Sequence, residues 1–166
     1  MSSANPGLAY EDTPPLSAPL RFFLTAPLFG LVAGLVLLFD GELLVSRWTP
    51  GALAVVHLFA AGFMLQVMLG ALLQILPVVA GAAFPAPLRI AGITHVLLGA
   101  GAASLAFGLG VGAPGAIVGG GALLACGLVI FLVASLIGLT RAAPAQGASR
   151  TPHDLRLALA ALGLTT

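Results

Sequence analysis

Long runs of apolar residues, broken by short segments rich in proline and glycine, dominate the chain. A helix needs about 20 residues to cross the ~30 Å hydrocarbon core of a bilayer. Each run is long enough to predict one membrane-spanning helix, so the predicted fold is an all-α, polytopic transmembrane helical bundle. The four runs extend from about Phe22 to Phe39, Pro50 to Ala80, Pro87 to Val111 and Ile117 to Leu139.

The breaks between the runs predict where the helices begin and end. Thr49 before Pro50 is a typical helix start, with an N-cap hydroxyl and a proline in the first turn. The prolines around residues 84–87 predict a turn that Pro87 closes as the first residue of the next helix. Glycines and a proline predict another short turn in segment 108–115.

This pattern divides the chain into four parts. Residues 1–20 form an N-terminal cytoplasmic tail, 21–140 the four-helix bundle, 141–150 a cytoplasmic loop and 151–166 the start of a fifth helix. About a dozen residues follow Asp154, which is too short to cross the membrane. The fifth helix therefore lies at the interface, inserts partway, or belongs to a longer chain; we favour the last of these.

Composition supports a membrane protein and excludes a water-soluble globule. Sixty per cent of the 166 residues are hydrophobic and 7% are charged, whereas a soluble domain carries about 25% charged residues. There is no lysine and the net charge is +1, so no basic face for nucleic acid is expected. The single cysteine, Cys126, excludes an internal disulfide, and we expect it to pack as a small core residue.

The six arginines predict the orientation. Five fall on the N-terminal side of the membrane, and Arg47 alone falls on the other side, beside Asp40 and Glu42. By the positive-inside rule, the N-terminus is cytoplasmic, as in a protein of the bacterial inner membrane, and Trp48 lies at the outer interface. The five are Arg21, Arg89, Arg141, Arg150 and Arg156.

Polar side chains inside the bilayer are costly and so mark candidate sites. The embedded parts of the spans contain no acid and no Lys or Arg. No side chain is therefore available for a proton relay through carboxylates. Hydroxyl side chains can bond back to their own helix. The remaining embedded polar residues are His57, Gln66 and Gln74 on the second span and His95 on the third.

The two histidines are predicted at different depths. His57 lies about 10 Å below the outer surface and His95 about 12 Å above the inner one. The helix face of His95 continues through Gly99, Ala102 and Ala106. These small residues leave a groove that a planar macrocycle or a neighbouring helix could fill.

Each histidine has two interpretations. One is ligation of haem iron through a neutral imidazole, with Gly99, Ala102 and Ala106 as a flat wall for haem b. The other is an interhelical hydrogen bond to a backbone carbonyl or a glutamine. Because of their depths, the pair is not expected to clamp one iron. His153 could share a cytoplasmic-side site with His95, or be an ordinary polar residue in a first helical turn.

Copper is a weaker possibility. Met64 and Met68 fall near the helix face of His57 and are soft ligands suited to Cu(I). His57 and Met64 are, however, about 10 Å apart along a helix, which is too far for one ion.

The second span resembles a known helix. It reads His-Leu-Phe-Ala-Ala-Gly-Phe from His57 and Gly-Ala-Leu-Leu-Gln-Ile-Leu-Pro from Gly70. This resembles the histidine-bearing helix of haem–copper oxidase and nitric-oxide reductase catalytic subunits. The resemblance implies that His57 is an axial ligand of a low-spin b-type haem near the outer face.

The chain also departs from that family. It has four spans where those subunits have a twelve-helix bundle, and it lacks both the paired histidines of a second haem and the three-histidine metal site. It is therefore not a complete oxidase, and the resemblance implies a small relative, a fragment or a one-haem subunit.

Three functions follow as hypotheses. The first, which we favour, is a haem b protein linked to respiratory electron transfer. The second is a non-catalytic accessory subunit of a larger membrane complex, whose small-residue helices pack on other subunits or on a second copy. The third, copper or small-solute transport, is weaker because the spans carry no embedded charge.

Overall fold

The protein is a bundle of membrane-spanning helices with short connections. The computed structural model describes residues 13–39, 41–142, 157–158 and 160–161. The described residues contain no strand and four helices long and apolar enough to cross a membrane. This confirms the predicted all-α transmembrane bundle. The helices are α1 (Ser17–Phe39), α2 (Pro50–Ala80), α3 (Pro87–Val111) and α4 (Pro114–Arg141).

The helix ends follow the local signals in the sequence. The Thr49 hydroxyl accepts a hydrogen bond from the Ala52 amide at 3.2 Å, which caps α2 as predicted. Gly81 ends α2 in the left-handed conformation, with φ 60°. Prolines in the first turn open α2, α3 and α4.

Two boundaries differ from the prediction. Helix α1 begins at Ser17, so the last residues of the predicted tail belong to the first span. The turn between α3 and α4 is shorter than the predicted segment 108–115, because α3 continues to Val111 and α4 already begins at Pro114. In the predicted fifth helix, Leu157, Ala158, Ala160 and Ala161 are helical and exposed, and the rest of 151–166 lies outside the described residues.

Helix α2 contains a π-helical segment. Residues Leu58–Met64 form it, and the Leu65 amide bonds the carbonyl of Ala60 five residues back. An α-helix would make this bond four residues back. The segment begins directly after His57, so a uniform 100° per residue is wrong for relating His57 to Met64 and Met68.

Helices α3 and α4 form the closest pair in the bundle. A Cβ atom at Gly101 would lie 2.9 Å from the Leu124 backbone nitrogen, and one at Gly108 would lie 2.7 Å from the Ile117 nitrogen. The Ser104 hydroxyl also donates to the carbonyl of Ala116 at 3.0 Å. Small residues therefore bring two backbones together where lipid gives no hydrophobic drive for association.

Small residues recur at helical spacing on α4 and on α1, and the two stripes have different surroundings. On α4, Gly120, Gly127 and Ala134 are all buried, as helix packing requires. On α1, a Cβ atom at Gly30 would lie 3.6 Å from the Phe63 ring, while Gly34 is exposed with no neighbour within 4 Å of a Cβ position.

The core lies at the end of the bundle where α2 connects to α3. Phe131 of α4 is fully buried and meets the ring of Phe84 in the connection, with centroids 5.6 Å apart. Phe22 of α1 is also fully buried in this core. The connection 81–86 is thus anchored on α4.

The outer surface of the helices is apolar. Only 17% of the α1 window and 39% of the α4 window is buried inside the chain. The large exposed side chains on α1 are hydrophobic, as contact with lipid requires. Cys126 is exposed rather than in the core, which corrects the expectation for that residue.

Candidate functional site

A cluster of polar side chains joins three helices inside the membrane. The Thr25 hydroxyl of α1 lies 2.9 Å from Gln66 Oε1 of α2 and 2.9 Å from His95 Nε2 of α3. It also lies 2.8 Å from the carbonyl of Arg21, one turn earlier on α1. Gln66 is fully buried, so these bonds form in a low-dielectric setting where polar groups need partners.

Two arrangements of the protons are compatible with the hydrogen bonds of Thr25. In one, the Thr25 hydroxyl donates to Gln66 Oε1 and accepts from His95 Nε2–H. In the other, the amide is turned round, Gln66 donates to the Thr25 oxygen, and Thr25 donates to His95 or to the Arg21 carbonyl. Both arrangements leave one end of the Gln66 amide without a partner.

The unpartnered atom in the structure is Gln66 Nε2. It is buried and makes no hydrogen bond within the described part of the chain, and the same holds for Thr94 Oγ1. A Cβ atom at Gly99 would have Gln66 Nε2 as its near neighbour, at 4.0 Å. The free amide end therefore lies beside the gap that Gly99 leaves on α3.

The predicted groove beside His95 is largely occupied. Ala102 is fully buried, and Ala106 is 4% exposed and packs with Val55 and Leu58 of α2. Gly99 faces Gln66. A neighbouring helix, the second of the two alternatives, thus fills much of this face. Ala106 also lines an apolar cavity of about 850 Å³ between α1, α2 and α3, which neither histidine lines.

His95 is held on two sides. Its Nε2 is bonded to Thr25, and its ring meets the ring of Phe22 edge-on, with centroids 5.2 Å apart at 81°. On another side it lines a cavity of about 570 Å³ with Arg21 and Arg89. The hydrogen-bonded interpretation accounts for His95 as the structure places it, and haem ligation by His95 stays a prediction.

His57 has a different environment. Its Nδ1 lies 2.7 Å from the carbonyl of Leu53, one turn earlier on α2. Because a carbonyl can only accept, Nδ1 carries the hydrogen, and in its neutral form the ring presents a lone pair at Nε2. His57 is partly exposed and stands at the start of the π-helical segment, a feature that often marks functional sites.

The histidines lie at different levels of the bundle. His95 joins the cluster at the level of Gln66, which is nine residues after His57 on α2. At about 1.5 Å per residue this separates their levels by roughly 13 Å. One iron held between the two rings is not compatible with this placement.

No ready-made metal site is present among the described residues. They contain no group of three or more His, Cys, Asp or Glu side chains that could hold an ion. Met64 and Met68, considered for copper, are 47% and 56% exposed and face the surface of the bundle. His153 lies outside the described residues.

Comparisons of the chain with protein-family models, curated proteins and solved structures found no match. The resemblance to oxidase subunits therefore rests on residues 57–77 alone.

The sequence did not identify how Thr25 and Arg21 contribute. A hydroxyl on an apolar helix usually bonds back to its own backbone, which Thr25 also does. The run predicted from Phe22 puts Thr25 near the edge of the membrane, so depth in the sequence does not single it out. In the structure Thr25 and His95 each lie eight residues after the start of their helices, which begin at the same end of the bundle. Gln74, equally embedded by sequence, instead has its Nε2 3.5 Å from the carbonyl of Pro14.

Proposed function

We propose that this integral membrane protein binds a b-type haem through His57 and takes part in respiratory electron transfer as a subunit of a larger assembly. The observation that carries the proposal is the bond from His57 Nδ1 to the Leu53 carbonyl, which leaves Nε2 free. Haem ligands are commonly oriented in this way, with the second ring nitrogen donating to a backbone carbonyl. Bound haem would supply a one-electron carrier.

The surroundings of His57 suit a flat apolar group. Ala60 and Ala61 follow one turn later on α2; the first is exposed and the second partly exposed. Both side chains are single methyl groups, so this part of the α2 surface is apolar and has little side-chain bulk. The Leu53 carbonyl fixes the ring and its tautomer, so this chain provides one oriented nitrogen in apolar surroundings.

A second axial ligand would come from outside the described residues. His95 is about 13 Å away in level and is bonded to Thr25. Methionine can serve as an axial ligand, and Met64 is the nearest along α2, but it lies at the far end of the π-helical segment. A haem held by His57 would therefore lie at a boundary with another membrane subunit or a second copy.

The experiment is an absorbance spectrum of the full chain in detergent, oxidised and then reduced with dithionite, with extracted haem quantified. We expect a reduced b-type α-band with about one haem per chain. His57→Ala should lose the haem, since Nε2 is its ligand. His95→Ala is the matched control and should retain it, because that ring serves the Thr25 cluster.

Other results would redirect the proposal. A His57→Ala protein that folds normally and keeps its full haem content would contradict it. Haem lost from His95→Ala alone would move the ligand to His95. A colourless, well-folded protein purified after haem-supplemented expression would remove the cofactor altogether.

The second candidate function is a non-catalytic accessory subunit. The observation that favours it is the Thr25–His95 bond, which gives one of the two embedded histidines a purely structural role. Co-purification of defined membrane subunits with a colourless protein would support this candidate.

We also propose that the N-terminus is cytoplasmic, in a membrane of the bacterial inner-membrane type. Arg21 and Arg89 line one cavity, and Arg141 ends α4 next to the connection between α2 and α3. Arg47 lies in the connection at the opposite end, over the ring of Trp48 at 5.2 Å. Three arginines against one at the two ends favour the first end as cytoplasmic.

Cysteine labelling tests this orientation. In a Cys126→Ser background, which removes the exposed native thiol, Ser46→Cys should react with a membrane-impermeant maleimide on intact cells. Ala142→Cys, at the opposite end, should react only after permeabilisation. The reverse pattern would invert the topology.

A further inference from the structure

Between α1 and α3, at the end of the bundle that carries Arg21, lies a cavity that is cationic at one side and apolar at the other. Its volume is about 570 Å³. Arg21 and Arg89 line it, as do Gly92, Ile93 and Val96. His57 does not line this cavity, so a ligand bound there is independent of haem at His57.

Arg21 is placed over the backbone of α3. Its Nε donates to the carbonyl of Ser17 at 3.1 Å, which orients the guanidinium. Its Nη1 lies 3.0 Å from the position that a Cβ atom would take at Gly92. Glycine at 92 therefore makes room for the guanidinium beside α3, on the same wall as Arg89.

The described residues supply no counter-charge for these arginines. Glu42 is the single carboxylate among them, and it lies at the opposite end of α1. Two cations next to an apolar helix surface, without an acid, favour an anion from outside the bundle. Guanidinium groups match phosphate geometry through paired N–H donors.

The apolar side of the cavity indicates what carries the anion. Ile93 is 50% exposed and Val96 is 63% exposed, one and two turns deeper than Arg89 on α3. An acyl chain could lie along these side chains while its phosphate stays level with the arginines. Basic pockets between membrane helices bind anionic lipid headgroups in this way.

We propose that Arg21 and Arg89, with Gly92 leaving room for the Arg21 guanidinium, form a binding site for the phosphate of an anionic phospholipid, whose acyl chain follows Ile93 and Val96. The site holds one lipid in a defined place, which distinguishes it from the general attraction of positive helix ends for an anionic membrane surface. Arg141 provides the comparison, because it lies at the same end of the bundle and does not line the cavity.

Lipid binding to the full chain in detergent tests the proposal. Phosphatidylglycerol is titrated and the bound fraction is read by native mass spectrometry. Arg21→Gln and Arg89→Gln should each weaken binding about fivefold or more, as loss of one phosphate-facing cation predicts. Arg141→Gln, which removes the same charge, should bind like the parent.

Gly92→Leu distinguishes binding at a defined site from a general effect of the protein's net charge. This variant keeps all six arginines but places a side chain where the Arg21 guanidinium lies. It should weaken binding less than Arg21→Gln does, because the displaced guanidinium keeps its charge but leaves its place beside α3. Thermal unfolding without lipid checks that each variant is folded, and a half-exposed helix position makes Gly92→Leu a tolerable change.

Several outcomes would overturn the proposal. Equal loss in Arg141→Gln, unchanged binding in Gly92→Leu, or equally tight binding of phosphatidylcholine would each show non-specific attraction. Displacement of the lipid by millimolar inorganic phosphate would identify free phosphate as the ligand. A large gain of affinity in Glu11→Gln/Asp12→Asn would mean that the protein's own acids occupy the arginines.

Discussion

Gly120→Ala is expected to lower the free energy of unfolding by about 1–3 kcal/mol, the usual cost of forcing extra atoms into a packed interface. A Cβ atom at residue 120 would run into the Leu105 backbone nitrogen, and it would lie 2.9 Å from the carbonyl oxygen of Gly101. Backbone atoms of α3 cannot move aside as a flexible side chain could. The two helices must separate, which also weakens the Ser104–Ala116 hydrogen bond.

The chain contains its own controls for this substitution. Gly119 and Gly121 flank Gly120, and neither has any atom within 4 Å of a Cβ position. Gly119→Ala and Gly121→Ala should be neutral or slightly stabilising, because alanine favours a helix by up to about 1 kcal/mol over glycine. Unfolding by heat or by SDS in mixed micelles gives the comparison. Equal destabilisation by all three would contradict the close approach of α3 and α4.

Thr25→Val is expected to destabilise the bundle by about 1–2 kcal/mol, near the upper end of the range for hydrogen bonds between membrane helices. Valine keeps the shape of threonine but takes the hydroxyl from both Gln66 Oε1 and His95 Nε2. Gln66 is fully buried, so its carbonyl oxygen would be left without water or protein to bond.

Two further variants test whether the lost stability comes from the hydrogen bonds of Thr25 with Gln66 and His95. Thr140→Val is the matched control, since that hydroxyl is exposed and bonds only the carbonyl of Ile137 on its own helix; it should cost little. In a Gln66→Leu background, Thr25→Val should cost less than in the parent, because the buried acceptor is already gone. Additive effects in this double-mutant cycle would show that Thr25 and Gln66 do not interact.

The spans could be predicted from sequence because hydropathy and helix-stop residues agree. Pro50, Pro87 and Gly81 mark ends of α2 and α3 by their own backbone preferences, and the structure has those ends where the sequence placed them. The start of α1 was harder to place. Pro19 lies in the first turn of α1, where a helix tolerates proline. The proline-rich segment before the first apolar run therefore does not exclude a helix.

The polar cluster could be predicted only in part. The cost of burial identified Gln66 and His95 as notable, but which residues meet depends on helix rotation and tilt. Those follow from close packing at residues such as Gly101 and Gly120, and an apolar sequence rich in glycine allows many such pairings. The single-helix resemblance at residues 57–77 carries no information on helix rotation or tilt.

The π-helical segment Leu58–Met64 amounts to a one-residue insertion in the angular register of α2. One extra residue turns everything before it by about 100° relative to everything after it. His57 and Gln66 therefore belong to two helix segments with different phases, although they share one continuous span. A gene lacking a single codon within this segment would encode an equally hydrophobic span of nearly the same length. In that protein His57 would point about a quarter of a turn away from its present direction while the Gln66 cluster stayed in place.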